Sequence, residues 1–382
     1  MKQTLEWGAM QPYQIRTDKP YRIFAEELER TAFEQFKEAM LLDTTVQGAL
    51  MPDAHTGYTL PVGAVIASKD WLYPSYVGYD IGCGMSAIPT TFRLSEVRTK
   101  ADEIFGAIYR TVPVGFSNNA TPTRTLLDPA VLTDGARAAF EKRGAFYALG
   151  SLGGGNHFIE IGHDESDRVW IIVHSGSRGV GHGIGTHYMR LAAPDNKCRE
   201  GHYGFEASSD NGKGYINDIA WVLQFALENR REIVRRVVAV MGECCTGSAD
   251  WDKLINRNHN HVEERDGFWI HRKGATHAEE GMMGVIPGNM RDGSFIVQGK
   301  GNPESLFSSS HGAGRVLGRK QAKRELDIGE FTSSMDGIKA RVEQATIDES
   351  PAAYKDIFHV MEQQRELVEV CQYVRPLINI KG

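Results

Sequence analysis

The sequence predicts an α+β fold built as one large irregular domain. Amphipathic stretches flank short β-branched runs that are bounded by glycine, and the two kinds of segment do not alternate as regular βα units. No repeat of about 20 to 50 residues indicates a solenoid or a propeller. At about 100 to 200 residues per domain the length suggests two domains, but no Pro/Ser-rich linker or charge block interrupts the chain. We therefore predict a single catalytic domain spanning residues 1–382.

Three stretches have apolar residues at helical spacing. In residues 20–42 the spacing would place five apolar residues on one face of a helix, namely Phe24, Leu28, Ala32, Phe36 and Met40. Residues 214–241 predict a long surface helix, and residues 357–374 repeat the pattern near the end of the sequence. These periodicities predict amphipathic helices packed on the flanks of the domain.

The predicted strands are short runs that end at or beside polar clusters. Such runs, rich in β-branched residues and bounded by glycine, are typical of buried strands. Their polar ends are where side chains for chemistry are expected. The runs are VGAVIAS from Val62, HFIEIG from His157, VWIIVHSG from Val169, FWIHRKG from Phe268 and SFIVQGKG from Ser294.

Composition excludes several classes of protein. The 43 basic and 49 acidic residues give a net charge of -6, which argues against a protein that coats nucleic acid nonspecifically, although a local basic groove is compatible with it. No apolar run approaches the roughly 18 residues that span a bilayer, and the first residues contain no apolar signal core. We therefore expect a soluble, cytoplasmic protein without a membrane partner. The 5 cysteines are too few for a disulfide framework, so any special cysteine is a ligand or a nucleophile.

Asp80 and Cys83 lie three residues apart in the glycine turn VGYDIGCGMS. A carboxylate and a thiolate that converge on one point suit Mn, Fe, Co or Zn. The alternative is a buried cysteine in a tight turn, and this segment alone favours the alternative. His157, after GSLGGGN, and His174, at the end of a strand, are candidate ligands or structural residues in equal measure. His259 and His261 share a face only in a strand, so the sequence does not show which of the two is a ligand.

His311 lies in the segment SSSHGAGRVLGRKQAKR, where small residues precede a basic stretch that has the pattern of a helix start. A helix N-terminus there would bind an anion or a phosphate, and the histidine could attack a phosphorus centre. The alternative is a solvated basic helix face capped by Ser308 to Ser310. The known nucleotide motifs are absent from the sequence: GSFIVQGKG is not a P-loop, GSLGGGN is not GxGxxG, and no CxxC pair exists.

The motifs together resemble the RtcB-type RNA ligases, in order and in approximate spacing, over nearly the whole chain. They are MPDAHTGYTLPVGAVIA, VGYDIGCGMSA, GSLGGGNHFIE, HSGSRGVG, NHNHV, RKGAT, IPGNM, SHGAGRVLGR, AAYKDI and the final KG. The resemblance implies a GTP- and Mn²⁺-dependent ligase that joins an RNA 3′-phosphate or 2′,3′-cyclic phosphate to a 5′-hydroxyl through a histidine–GMP intermediate, in RNA repair or tRNA splicing. It implies two Mn²⁺ ions in a central dinuclear site carried by strands, and an accessory activating protein as a further partner.

The resemblance also implies roles for individual residues. His311 matches the histidine that accepts GMP, and Glu160 would read guanine and exclude ATP. The implied metal ligands, with Cys83 bridging both ions, are Asp80, Cys83, His157, His174 and His259. The implied nucleotide-binding residues are Asn156, His157, Glu160, His259, Asn260, Pro287, Gly288, Asn289, Met290, Ser294, His311, Gly312, Ala313, Gly314, Tyr354 and Lys381.

Several positions depart from the common pattern of the family. Tyr58 stands where lysine is usual, Asn289 where serine is usual, and Glu279 and Glu280 where arginine is frequent; His261 stands where tyrosine is frequent. The chain therefore looks like a divergent paralogue in which the glutamates face RNA and weaken its binding. The competing hypotheses are a metal-dependent cyclic phosphodiesterase that acts on RNA ends without ligation, and a noncatalytic RNA-binding or chaperone-like module. The acidic net charge and the complete metal set disfavour the last.

Overall fold

The computed structural model describes residues 13–197 and 201–382. The strands, in chain order, are β1 (Tyr21–Ile23), β2 (Thr45–His55), β3 (Val62–Ser68), β4 (Trp71–Leu72), β5 (Gly84–Pro89), β6 (Phe158–His163), β7 (Val169–Ser175), β8 (Phe205–Glu206), β9 (Ile255–Asn258), β10 (Asn260–Arg265), β11 (Phe268–Lys273), β12 (Ala275–His277), β13 (Met283–Pro287), β14 (Ser294–Gly299), β15 (Ser308–Ser310), β16 (Lys339–Ala340) and β17 (Val368–Lys381).

The α-helices are α1 (Arg30–Met40), α2 (Pro74–Val77), α3 (Leu94–Thr99), α4 (Ala101–Thr111), α5 (Asp134–Arg143), α6 (Ala145–Ala148), α7 (Val180–Ala192), α8 (Asp210–Cys244), α9 (Arg319–Glu325), α10 (Ile328–Ser334) and α11 (Ile357–Gln363). Short 3₁₀ helices occupy Pro129–Val131, Trp251–Lys253, Pro303–Ser305, Gln344–Glu349 and Pro351–Ala353. Among the described residues, no helix is both long enough and apolar enough to cross a membrane.

Two mixed sheets organise the strands. One has the order β1-β2-β3-β11-β10, and the other has the order β13-β14-β17-β6-β7-β5-β9, with β16 beside β17. Neighbours in both sheets are antiparallel except β1 with β2 and β16 with β17. Because regular βα units produce parallel neighbours, this pairing confirms the predicted α+β fold. The five predicted strand runs correspond to β3, β6, β7, β11 and β14.

The long helix α8 packs on the larger sheet rather than lying on the surface. Its residues Ile233, Val237 and Met241 share a core cluster with Ile171 and Val173 of β7. Ser209 caps its first turn by accepting a hydrogen bond from the backbone N–H of Gly212 at 3.1 Å. The helix predicted over 214–241 is therefore confirmed in type, but it is longer than predicted and much more deeply buried.

Two predicted helices are only partly helical. In the stretch 20–42 only Arg30–Met40 is a helix, because Tyr21–Ile23 pairs with β2 and the backbone N–H of Phe24 bonds to the carbonyl of Leu50 at 2.9 Å. In the stretch 357–374 the helix ends at Gln363, and the later apolar residues belong to β17. In both places the backbone groups form hydrogen bonds with a neighbouring strand, although the apolar spacing alone had predicted a helix.

Candidate active site

A cavity of about 890 Å³ collects most of the residues that the sequence singled out. This volume is in the range of small-molecule sites. His157, Glu160 and Ser294 are buried and, among the described residues, do not form its wall. The predicted residues that do line it are Asp80, Cys83, Asn156, His174, His259, Asn260, Pro287, Gly288, Asn289, Met290, His311, Gly312, Ala313, Gly314, Tyr354 and Lys381.

The predicted metal ligands meet at the ends of adjacent strands. The sheet order β6-β7-β5-β9 brings together the ends from which they project. The Sγ atom of Cys83 lies 3.3 Å from Nε2 of His157 and 3.2 Å from Nε2 of His174. Nε2 of His174 lies 3.4 Å from Nε2 of His259, and Oδ2 of Asp80 lies 3.5 Å from Nε2 of His157. The fold therefore brings all five candidate donors into one cluster.

The protonation states of these side chains are compatible with binding a cation. The carbonyl of Asn156 accepts a hydrogen bond from Nδ1 of His174 at 3.1 Å, which leaves a lone pair on Nε2. Burial lowers the pKa of His174 and of His259 well below the ordinary value, so both rings are neutral. Burial also raises the pKa of the Cys83 thiol, an effect that a bound cation would oppose by favouring the thiolate. Thiolate, carboxylate and imidazole donors together suit a divalent transition metal.

Local backbone geometry leaves room for one of these rings. Gly153 has a φ of +96°, and a Cβ atom at this position would lie 2.1 Å from Nδ1 of His157. A side chain at residue 153 would therefore displace the His157 ring from the cluster. This close approach explains the glycine at residue 153.

His311 is oriented by a carboxylate that the sequence analysis did not single out. Nδ1 of His311 lies 2.7 Å from Oδ2 of Asp53, whose side chain is fully buried in β2. Because the carboxylate accepts the Nδ1 proton, Nε2 keeps its lone pair. The centroid of the His311 ring lies 4.7 Å from that of His259, so the predicted nucleophile lies beside the cluster of candidate metal ligands. The signal for Asp53 was an acidic residue in the otherwise apolar run ALMPDA of a strand.

The predicted helix start at His311 is wrong. Ser308–Ser310 is a strand paired with β12, and the next helix begins only at Arg319. The three serines therefore do not cap this helix, whose first residue, Arg319, comes eight residues after His311. The tight path after the histidine has another cause: Gly314 has a φ of +75°, and a Cβ atom there would lie 2.2 Å from the carbonyl oxygen of Asp53.

Two buried carboxylates hold polar residues around the cavity. Ser294 donates a hydrogen bond to Oε1 of Glu160 at 3.1 Å, and burial raises the pKa of Glu160 to about 8 despite this bond and the charge of Lys381. Glu349 accepts hydrogen bonds from Nζ of Lys381 at 2.6 Å and from the hydroxyl of Tyr354 at 2.8 Å. Glu349 thereby positions two predicted nucleotide residues, and sequence reasoning missed it.

Two predicted nucleotide residues use their side chains inside the protein. Asn260 donates to the carbonyl of Asp80 at 3.1 Å and accepts from the backbone N–H of Gly274 at 2.7 Å, so it links Gly274 to the turn that contains the candidate metal ligands Asp80 and Cys83. Asn289 donates to Asp292 at 2.6 Å within its own loop. The side-chain oxygen of Asn289 also accepts hydrogen bonds from the backbone N–H groups of Arg291 and Asp292, both at 3.0 Å.

The sequence model of one protein family, described as tRNA-splicing ligase RtcB, matches residues 35–147 and 135–382 of this chain. The chain belongs to the RtcB family. It is 36% identical to the RNA-splicing ligase RtcB of Escherichia coli K12 over 370 residues, which cover 87% of this chain and 90% of that protein. It is 28% identical to the tRNA-splicing ligase RtcB of Thermococcus kodakarensis, with 95% of each chain covered. It is also 28% identical to the RNA-splicing ligase RtcB2 of Escherichia coli ATCC 25922, with 96% of each covered. These identities make it a divergent RtcB-type RNA ligase.

The structure separates His261 of this RtcB-type ligase from the cluster of candidate metal ligands. Nε2 of His261 lies 3.1 Å from Nη1 of the fully buried Arg272, which also pairs with Glu263. His261, Glu263 and His277 are close enough to form a second group of metal-ligand type. In that group the guanidinium of Arg272 neutralises the carboxylate of Glu263.

The departures from the RtcB pattern at residues 279 and 280 lie away from the cavity. Arg265 pairs with Glu279 at 2.9 Å, and Nδ1 of His277 lies 3.0 Å from the same carboxylate oxygen. Glu280 is exposed, and neither glutamate belongs to the described wall of the cavity. Glu279 thus has an internal electrostatic role that its position in the sequence did not indicate.

Proposed function

We propose that this protein is a GTP- and Mn²⁺-dependent RNA ligase that joins RNA 3′-phosphate or 2′,3′-cyclic phosphate ends to 5′-hydroxyl ends, in RNA repair or tRNA splicing. One observation carries the proposal: His311, oriented by Asp53, lies beside His259 in a cavity of about 890 Å³ that most of the predicted nucleotide residues also line. We take residues 1–382 as one catalytic domain, because the wall of this cavity draws on residues from Glu29 to Lys381.

The role of His311 follows from its tautomer. The lone pair on Nε2 attacks the α-phosphorus of GTP, a P–N bond forms, and the bond to the leaving pyrophosphate breaks. An oxygen of the RNA 3′-phosphate then attacks the same phosphorus and releases the histidine. The 5′-hydroxyl of the second RNA attacks the activated 3′-phosphorus, loses its proton to a base, and displaces GMP. A cyclic phosphate first requires opening by water.

Asp80, Cys83, His157, His174 and His259 would hold the metal ions, whose contribution is to neutralise phosphate oxygens and polarise the phosphorus. Asp53 holds the Nδ1 proton of His311 through both transfers. Glu160, once ionised, would accept from N1 and N2 of guanine, donors that adenine does not present. The cytoplasmic location and an activating protein partner stay predictions.

The decisive experiment is incubation with GTP labelled at the α-phosphate and with Mn²⁺. We expect a covalent adduct that is acid-labile and base-stable, and mass spectrometry should place GMP on the peptide containing SSSHGAGR. His311→Ala should lose the adduct, whereas His359→Ala, a variant of a half-exposed histidine, should keep it. An adduct in His311→Ala would refute the assignment. Conversion of cyclic phosphate ends without GTP consumption would favour the cyclic phosphodiesterase instead.

A further inference from the structure

Three aromatic side chains form a row that begins at the cavity wall. The ring of Tyr58 meets the ring of Tyr79 edge-on, with centroids 6.0 Å apart and planes at 85°. The ring of Tyr79 stacks on His182, with centroids 4.9 Å apart and planes at 22°. Tyr58 and Tyr79 line the cavity, and His182 lies outside its described wall. We call Tyr58, Tyr79 and His182 the aromatic shelf.

The ring of Tyr58 is exposed, although hydrogen bonds hold the backbone of its loop in place. Tyr58 is 65% exposed and belongs to none of the described core clusters. The residue before it, Gly57, exchanges two hydrogen bonds with the side chain of Gln35 on α1, at 2.9 and 3.1 Å. Glu29 accepts a further bond from the backbone N–H of Thr56 at 3.2 Å. A large aromatic ring on a braced loop is a preorganised contact surface, because little entropy is lost when a ligand covers it.

The shelf adjoins the residues that would handle the reacting phosphate. Tyr79 directly precedes Asp80 in the sequence, and Nζ of Lys273 lies 6.0 Å from the centroid of the Tyr58 ring. The exposed cations Lys320 and Arg324 on α9 line the same cavity. An occupant of this mouth therefore meets an exposed aromatic ring, Tyr58, and positive charge. A single-stranded nucleic acid offers the complementary pair of groups, bases and phosphates.

We propose that the aromatic shelf stacks a nucleobase of single-stranded RNA near the end that is to be joined. The inference rests on the proposed function, since it places the terminal phosphate of that RNA at His311. Every base has a π-face, so stacking at Tyr58 holds RNA ends without selecting their sequence. The shelf thereby supplies RNA affinity through aromatic contact, where the usual lysine would supply charge.

The test measures Kd for a fluorescent single-stranded RNA with a 3′-phosphate, by anisotropy and without GTP. Stacking contributes about 1 to 3 kcal/mol per base, so Tyr58→Ala should weaken binding by about 5- to 150-fold. Tyr58→Phe keeps the ring and should bind close to the wild-type value. The matched control is Tyr147→Ala, because Tyr147 is 44% exposed and outside the described cavity wall.

Abasic RNAs separate base stacking from other contacts. We expect removal of one base among the last three nucleotides to weaken binding to the wild-type protein, and to have little further effect on Tyr58→Ala. If intact and abasic RNA had the same Kd for the wild-type protein, or if removal of the base raised the Kd equally in the wild-type protein and in Tyr58→Ala, the proposal of base stacking on the shelf would be overturned. The GMP adduct on wild-type His311 is measured separately. A missing adduct refutes the proposed function, whereas a normal adduct with base-independent binding refutes only the shelf.

Discussion

Oδ2 of Asp53 lies 2.7 Å from Nδ1 of His311 and 3.2 Å from the backbone nitrogen of the same residue. One buried carboxylate therefore fixes both the ring and the main chain of the proposed nucleophile. Burial alone would raise the pKa of Asp53, but attraction to the protonated form of His311 and the hydrogen bond from its ring outweigh burial and hold the pKa below its usual value. The carboxylate is thus ionised and ready to stabilise a positive charge that develops on the ring.

Asp53→Asn should slow GMP loading of His311 strongly. An amide can donate to Nδ1 and favour the wrong tautomer, and in the Ser-His-Asp triad the equivalent change costs roughly 10⁴-fold. We expect a loss of about 10² to 10⁴-fold in the rate of adduct formation at saturating GTP. Asp70→Asn, at an exposed aspartate in a turn, should load GMP normally. A wild-type rate in Asp53→Asn would show that the contact does not orient the nucleophile.

GTP binding should release a proton from Glu160. Burial raises the pKa of this carboxyl to about 8, so it is protonated in the free protein at pH 7, whereas acceptance of two guanine donors requires the anion. GTP affinity should therefore rise between about pH 6 and pH 8 and level off above. Calorimetry in buffers of different ionisation enthalpy measures the proton directly.

Glu160→Gln should abolish this proton release and narrow the preference for GTP over ATP, whereas Glu165→Gln, at an exposed glutamate, should change neither. The free energy of unfolding should change with pH in the opposite direction to the GTP affinity. The folded state binds the extra proton between the ordinary pKa and about 8, so the free energy of unfolding falls as pH rises through this window. Glu160→Gln should flatten that slope; an unchanged slope would contradict the raised pKa.

Cys83→Ala should lose bound metal while the protein stays folded. The thiol faces Nε2 atoms of two histidines at 3.2 and 3.3 Å, and the thiolate is the donor that favours transition metals over Mg²⁺. Elemental analysis after dialysis against Mn²⁺, together with circular dichroism, measures both properties. Cys371→Ala, at an exposed cysteine, is the matched control. Full Mn²⁺ occupancy in Cys83→Ala would show that this cysteine is not a ligand.

The two glutamates at 279 and 280 should respond differently to charge reversal. Glu279→Arg places a third cation beside Arg265 and Arg272, so we expect a loss of about 1 to 3 kcal/mol in the free energy of unfolding. Glu280→Arg lies on the exposed surface and should leave stability unchanged. If residue 280 faces RNA, this variant should ligate a generic RNA pair better and with a steeper salt dependence. Equal ligation across a salt series would exclude that role.

The sequence predicted part of the arrangement of the candidate metal ligands. His157 and His174 lie at the ends of two predicted strand runs. Asp80, Cys83 and His259 join them because β5 pairs with both β7 and β9, and the local patterns did not predict that pairing. Apolar periodicity failed at Tyr21–Ile23 and beyond Gln363, where backbone pairing with a distant strand decided the structure. Asp53 was missed because its partner His311 is 258 residues away, and the ion pair of Glu349 was missed because Lys381 is 32 residues away; local sequence patterns do not reveal contacts over such separations.

The position of β17 determines when the larger sheet can be completed during translation. This strand, Val368–Lys381, pairs with β14 on one side and with β6 on the other, and β6 precedes it by about two hundred residues. While the ribosome is still translating, β6-β7-β5-β9 and the hairpin β13-β14 therefore have open edges and no common sheet. Such edges are prone to wrong pairing, and closure over this sequence separation is slow. We expect the newly made chain to be unable to load GMP until residues 368–381 have left the ribosomal tunnel.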